Sequence, residues 1–337
     1  MVPASMVNQL SAVDVGRGRE EAFRLQRPEA LKTLVEIARI QSTEASNAIE
    51  DVTAPRKRIE ALVADKTTPR NRSEGEIAGY RAVLDMIHAS ARDIPFRPSV
   101  VEQLHRDLYQ FTGVPAGRWK TVENSITQTE PDGSETVRFQ TVPALETPAA
   151  MEELHERFAR ARDYHPALLV GCYVFDFLAI HPFRDGNGRL GRLLTLLALY
   201  QAGYEVGRYI SLERLISETK ETYYEALEAA GRGWHEDRHD IKPWLSYFLG
   251  ILVAAYDEFE ERAGVVSGGR GSKIAAVRQF VRSSVSDEFT IEDVRQAVPG
   301  ASDSYLSKVL ASMRTQGILE SRPAGRGSRW RRLRTDF

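Results

Sequence analysis

His181-Pro-Phe-Arg-Asp-Gly-Asn-Gly-Arg-Leu-Gly-Arg192 is the stretch on which the reading of this chain turns. An apolar run, Ala167–Ile180, precedes it, and a mostly apolar run from Arg189 to Gln201, ending at Gly203, follows it. The stretch is therefore a loop between two buried helices that closes on a helix N-terminus. Gly186 and Gly188 let the backbone approach a ligand closely and adopt positive φ. N–H groups of Asn187, Gly188 and Arg189 at such a terminus can bind an anion, helped by the helix dipole. Arg189 and Arg192 are three apart, share one helix face and offer two guanidinium forks to phosphate oxygens. Asp185 is a carboxylate among anion donors, which makes sense where a divalent cation bridges it to the phosphates. His181, with a reference pKa of about 6.5, is a proton acceptor at the other end. Taken singly, these are a polar helix end, a connecting turn and solvated arginines. Twelve contiguous residues holding all the parts imply a Mg²⁺-nucleotide cradle beside a general base, the inventory of phosphoryl or nucleotidyl transfer.

Outward from that loop, helix signals dominate. Pro28 opens a run with Leu31, Leu34, Val35 and Ala38 at helical spacing. Ser73 with Glu76, and Ser99 with Glu102, have the spacing of capping boxes. Thr147-Pro148 starts a helix through Met151, Leu154 and Phe158, and Glu213–Ala230 and Ile241–Arg262 read as two more. Lys120–Val142 differs: Thr, Val and Ile flank Pro131-Asp132-Gly133, a hairpin signal. The 337 residues suggest about two domains. The 45 Lys+Arg nearly balance 47 Asp+Glu, but from Val265 to Phe337 there are 13 Lys+Arg against 7 Asp+Glu, an excess of six positive charges. That change of sign, with Val266-Ser-Gly-Gly-Arg-Gly-Ser272 at the junction, marks a boundary between modules with different partners. A single cysteine, Cys172, excludes an intramolecular disulfide and a multi-cysteine metal site, and fits a reducing cytosol. Met1 to Glu21 is polar and lacks the layout of a signal peptide, so a cytoplasmic location is expected. The longest apolar stretches, Ala167–Ile180 and Trp244–Tyr256, run 14 and 13 residues, short of a membrane span.

The loop resembles the Fic family motif, HPFxxGNGRxxR, with every fixed position present, and the resemblance extends over roughly residues 28–262. It implies a mainly α fold: a Fic-type helical core with a β-hairpin flap. It also implies transfer of AMP from ATP to a hydroxyl of a target protein, with Mg²⁺. His181 would deprotonate the target hydroxyl, and Asp185 would hold Mg²⁺. Gly186, Asn187, Gly188 and Arg189 would cradle the α- and β-phosphates, with Leu190 and Gly191 in the same ATP-binding run, and Arg192 would take the γ-phosphate. Phe183 would anchor the loop in the core. Trp119–Val142 lies where the family has its flap, which aligns a target segment by strand addition. Val122–Ile126 and Val137–Pro143 would be its arms. Tyr223 and Tyr224 lie where the family sets a tyrosine pair against adenine, with one expected in the core, while an asparagine that some relatives use there falls at about Gly231. Ser46-Asn-Ala-Ile-Glu50 resembles the family's inhibitory motif, in which the glutamate pairs with the second motif arginine, here Arg192. The family usually has Gly or Asn next, and this chain has Asp51.

Beyond the linker, Ile274–Val281, Thr290–Ala297 and Ser302–Thr315 read as helices, and Ile318–Leu333 as a hairpin turning at Ala324-Gly325-Arg326-Gly327. Three helices and a hairpin is the layout of a winged helix, with Ser302, Ser304, Tyr305, Ser307 and Lys308 on the helix that would enter a DNA major groove and Arg326, Arg329, Arg331 and Arg332 at the wing. The alternative is a domain that packs on a protein surface. The expected organisation is an N-terminal helical region with the inhibitory helix over 1–98, the Fic core over 99–262, a linker over 263–272 and a winged-helix-like domain over 273–337. The expected function is a self-inhibited protein adenylyltransferase whose partners are ATP, a target protein at the flap and, through the C-terminal domain, DNA. A homodimer stays open. Two rivals stand beside it: a DNA-binding regulator with a nucleotide-sensing Fic domain, and a Fic enzyme that removes AMP or transfers another group.

Overall fold

A computed structural model describes residues 3–26, 28–129, 135–161, 163–266, 277–282, 288–298, 303–322 and 329–334. The chain divides into two compact units, one built from residues 1–21 and 33–256, the other from 22–32 and 257–337.

The first unit is helical. Its centre is a pair of packed helices, α7 (Pro166–Ile180) and α8 (Asn187–Gln201), whose side chains are buried almost all round. Near-continuous apolar runs of this length form helices buried on every side. Around them lie α4 (Arg72–Ser90), α5 (Pro98–Leu108) and α6 (Thr147–Arg160), with α4 against α5 and α8, and α6 against α7. The first unit also holds α3 (Arg56–Val63), α9 (Leu212–Glu218) and α10 (Lys220–Gly231), and the greater part of α1 (Ala4–Gln26), α2 (Pro28–Ala48) and α11 (Lys242–Val266), whose remaining residues belong to the second. A hairpin of β1 (Ser125–Thr129) and β2 (Glu135–Gln140) joins α5 to α6. Ser125 pairs with Gln140 and Ile126 with Phe139, and the register then shifts so that Thr127 faces Val137. The strands begin and end a few residues away from the arms expected at 122–126 and 137–143.

Several local expectations are corrected. Helix α4 is capped by Asn71, whose Oδ1 accepts the Glu74 N–H at 2.9 Å, and not by a box of Ser73 and Glu76, because the Glu76 carboxylate is engaged by Arg72 and Arg189. Helix α5 starts at Pro98 with Arg97 at the cap and no side-chain cap bond; the fixed φ of proline sets that start one residue before Ser99. The helix expected over 213–230 is two helices broken at Thr219, whose hydroxyl bonds the Leu215 carbonyl at 2.8 Å. Polar residues 4–26 form a long helix whose buried positions are only Met6, Val13, Gly16 and Glu20, too sparse to signal one. Helix α11 continues through Val266, so residues 263–266 are helical and not linker.

In the second unit a helical segment at 277–282 and helices Ile291–Ala297 and Asp303–Thr315 accompany a three-stranded antiparallel sheet. Its strands are Glu288–Thr290, Leu319–Arg322 and Arg329–Arg332, the last in the middle. Val277, Val281, Phe289, Leu306, Leu310, Met313 and Trp330 share one core. Thr290 and Asp293 form a capping box, as their spacing predicts. The flap turn at 130–134, the linker from 267 onward, Ser302, the Ser304 side chain and the turn with Ala324 and Arg326 lie outside the described residues.

Candidate active site

The motif loop is held from below. Phe183 is fully buried, its ring stacked on that of His105 at 3.7 Å between centroids. Asn187 turns its side chain back on the loop, accepting the Phe183 N–H at 2.9 Å and donating to the Phe183 carbonyl at 2.7 Å. His105 donates from Nε2 to the Asp185 carbonyl at 3.0 Å and accepts the Gly117 N–H on Nδ1 at 2.9 Å. That arrangement requires a neutral ring, and burial lowers the His105 pKa to about 4. Gly186 caps α8 with φ +82, a left-handed conformation open to glycine at little cost. The first helical bond is Leu190 N–H to the Gly186 carbonyl at 2.9 Å, so the N–H groups of Asn187, Gly188 and Arg189 belong to the end turn that favours anions.

His181 ends α7 in a left-handed conformation, φ +52. Its Nδ1 lies 3.2 Å from the Leu178 carbonyl, which can only accept, so in the neutral ring the proton sits on Nδ1 and Nε2 keeps its lone pair. Burial lowers the His181 pKa to about 4; Lys120 pushes the same way, and the Leu178 carbonyl, Glu50 and Asp185 oppose. The imidazole is a free base at neutral pH.

The two motif arginines are buried and occupied. Arg189 pairs with Glu76, donates to the Tyr109 hydroxyl at 2.8 Å, and leaves its buried Nε without a partner. Arg192 donates to the Ser46 hydroxyl, the Ser46 carbonyl and Glu50 Oε1, each at 2.8 Å. Burial opposes the Arg192 charge, but Glu50, with Tyr223 and Tyr80, raises its pKa, so it stays a cation. The Glu50 carboxylate covers the N-terminus of α8 so closely that a Cβ at Gly188 would collide with it. The turn that carries Glu50 passes through Asp51 at φ +57, a left-handed site that Gly or Asn takes more readily. Asp185 is exposed, accepts the Gly186 N–H at 2.6 Å and lies 3.3 Å from Arg72.

The motif residues and Ser46–Glu50, 142 positions before Arg192, thus meet in one place. Leu190 is fully buried with its N–H in the helix, and Gly191 packs against Leu178. Tyr223 is the buried member of the tyrosine pair, beside Trp244 and Tyr247 and near enough to Arg192 and Glu50 for their charges to act on it. Tyr224 is 43% exposed. The Phe139 ring lies 3.3 Å from where a side chain at Gly231 would begin. Sequence reasoning missed Arg72, Glu76, His105, Tyr109, Lys120 and Asn124. Glu76 alone left a signal: it is an acid in the apolar stripe of Tyr80, Val83 and Ile87.

One loop thus joins a neutral imidazole to a helix end whose first N–H groups suit an anion, with two buried arginines on that helix. The family model described as Fic/DOC family matches residues 95–199 of this chain. It is similar to "Protein adenylyltransferase Fic" from Nematostella vectensis, 23% identical over 68% of this chain and 50% of that one. It is also similar to "Protein adenylyltransferase fic-1" from Caenorhabditis briggsae, 25% identical over 64% of this chain and 40% of that one. This chain spans half or less of the length of these relatives. Among solved structures, a Fic family protein from Desulfovibrio desulfuricans G20 superposes with a TM-score of 0.65, at 21% identity over 99% of this chain and 97% of that one. A fragment of Fic-1 from C. elegans gives 0.61 at 20% identity, over 76% of this chain and 72% of that one. No helix among the described residues is long and apolar enough to cross a membrane.

Proposed function

We propose that this chain is a protein adenylyltransferase, held in check by Glu50. The observation that carries the reading is the neutral His181, placed on the motif loop that ends in the anion-binding turn of α8. The Nε2 lone pair takes the proton of a target hydroxyl. The hydroxyl oxygen attacks the α-phosphorus of ATP, the bond from that phosphorus to the bridging oxygen breaks, and pyrophosphate leaves. The N–H groups of Asn187, Gly188 and Arg189 and the partnerless Nε of Arg189 suit the α- and β-phosphates, and Arg192 suits the γ-phosphate. Asp185, an exposed carboxylate on the loop that leads into α8, is an oxygen donor that suits Mg²⁺ shared with phosphate oxygens. Mg²⁺ bound there would neutralise phosphate charge. The flap would align the target strand.

Inhibition is supported by two contacts of Glu50: it pairs with Arg192, the residue suited to the γ-phosphate, and its carboxylate covers Gly188 in the turn suited to the α- and β-phosphates. A phosphate cannot share that space with a carboxylate. The rival reading as a nucleotide sensor leaves the poised His181 without a use. Transfer of label from α-labelled ATP is the test. Replacement His181→Ala is expected to cut transfer about 10²–10⁴-fold while ATP affinity stays within about twofold. Because the imidazole charges only near pH 4, wild-type transfer should not fall through loss of this base down to about pH 5. More than half the activity left in the variant overturns the assignment.

A further inference from the structure

Lys120 lies 4% exposed in the interior at the root of the flap. Its ammonium donates to Asn124 Oδ1 at 2.7 Å, Thr141 Oγ1 at 2.9 Å and the Ile180 carbonyl at 3.1 Å. All three protons are used, and all three partners are neutral. A buried charge held by dipoles alone is costly to keep, and desolvation lowers the Lys120 pKa to about 8, with Glu123 opposing. Such a charge calls for a role that apolar packing could not fill.

Its partners supply one. Asn124 directly precedes β1 and Thr141 directly follows β2, so they are the two roots of the flap. The Thr141 hydroxyl lies 2.6 Å from Asn124 Oδ1 and 2.8 Å from the Asn124 carbonyl, which closes the roots on each other. Ile180 is the last residue of α7, where carbonyls are left over and a cation complements the helix dipole. The backbone N–H of Lys120 bonds the Pro182 carbonyl at 2.8 Å, and Asn124 Nδ2 bonds the Phe183 carbonyl at 2.9 Å. The carbonyls of Ile180, Pro182 and Phe183 bracket His181, and each is held by a flap-root residue. His181 has φ +52, which a side-chain-bearing residue keeps only where its surroundings over-determine it.

We infer that Lys120 is a positioning residue for the reaction: its ammonium locks the flap and the His181 turn into one rigid piece, so that the base and an aligned target strand keep a fixed separation. This rests on the transfer reading above. The same charge acts on His181 through space. The charged groups facing the imidazole are Lys120 from the flap root, Glu50 from the turn after α2 and Asp185 from the loop itself, and Lys120 alone among them disfavours protonation.

The test uses the full chain with Lys120→Met, which keeps the stem and loses the charge, and Lys120→Arg, which keeps the charge. The first readout needs no substrate: NMR titration of the His181 ring, assigned by its loss in His181→Ala. The Met variant is expected to shift the midpoint upward from about 4, since removing a cation favours the charged ring, and the Arg variant to return it toward wild type. The second readout is transfer of AMP. The Met variant should lose about 10–100-fold in kcat with the KM for ATP within about twofold, because no phosphate contact is touched. An unmoved His181 midpoint together with unchanged kcat overturns the inference. Should the Met variant fail to fold, Lys120→Gln, which loses the charge and keeps a donor, carries the titration with the same expected direction, and Thr141→Val, which removes one acceptor at constant shape, carries the kcat readout. A Glu50→Gly chain that transfers no AMP refutes the proposed function, and the titration still decides the role of Lys120.

Discussion

At the scale of single residues, Arg192 is asked to do two incompatible things. Its guanidinium is 5% exposed, bonded to Ser46 and Glu50, and it is also the cation three residues beyond Arg189 that suits a terminal phosphate. Only one anion can hold it. Breaking the Glu50 pair costs more than the roughly 1 kcal/mol of an exposed pair and less than the roughly 3–5 kcal/mol of a fully buried one, since Glu50 is 33% exposed. A restraint of about 2–3 kcal/mol corresponds to about 30- to 150-fold in rate. Glu50→Gly is therefore expected to raise label incorporation from α-labelled ATP by that factor. Arg192→Ala should not be activated, and the double variant should match Arg192→Ala, the non-additivity of coupled residues. Activity of Glu50→Gly no higher than wild type would return Glu50 to the status of an interior-facing acid without a regulatory role.

At the scale of elements, Glu50 is only as well placed as the turn after α2 that carries it. The turn after α2 is tied down by Lys220, which opens α10 and donates to the Ile49 carbonyl at 3.0 Å. Farther back, the Ser42 hydroxyl bonds Ser211 at 2.9 Å, and Ser211 and Tyr80 both bond the buried Glu213. One such bond contributes about 1 kcal/mol net, so Lys220→Ala should activate transfer about fivefold, less than Glu50→Gly. No activation would mean that the end of α2 is held without α10. These contacts also explain what the chain could reveal beforehand. Helices α2, α6, α7 and α8 announced themselves because long apolar spacing dictates a helix whatever its neighbours. The twelve-residue motif was legible because its parts are contiguous. The supports of the motif were not: Glu76, Tyr109, His105 and Lys120 reach it from α4, from just after α5, from α5 and from the flap root, and nothing local distinguishes a lysine that will be buried from one that will be solvated. Helix α1 stayed hidden for a related reason, its four buried positions spread over 15 residues of polar sequence.

At the scale of the whole molecule, charge is segregated along the chain, and the excess of six positive charges from Val265 onward, within the second unit, asks for an anionic partner. Within the described residues of that unit, Lys308 and Arg314 are exposed on the helix Asp303–Thr315, and Arg329, Arg331 and Arg334 are exposed on or just after the last strand. Trp330 between them turns inward to the core, so the alternation of the strand sorts arginine outward and tryptophan inward. Arg332 is partly turned in and bonds the carbonyls of Val281 and Arg282 at 3.0 and 2.9 Å, which makes it a structural residue. The partner we propose for this surface is duplex DNA. If four of the exposed cations each neutralise a phosphate, affinity should fall with a log–log slope of about −3.6, roughly 10²-fold between 50 and 200 mM salt. Lys308→Ala and Arg329→Ala should each reduce that slope by about one, whereas Arg332→Ala should destabilise the unit. The measurement is fluorescence anisotropy of labelled duplex DNA with the full chain across that salt range. A full chain that fails to bind at 50 mM salt would leave the basic surface to a protein partner, and a salt slope unchanged in Lys308→Ala would remove that helix from the interface.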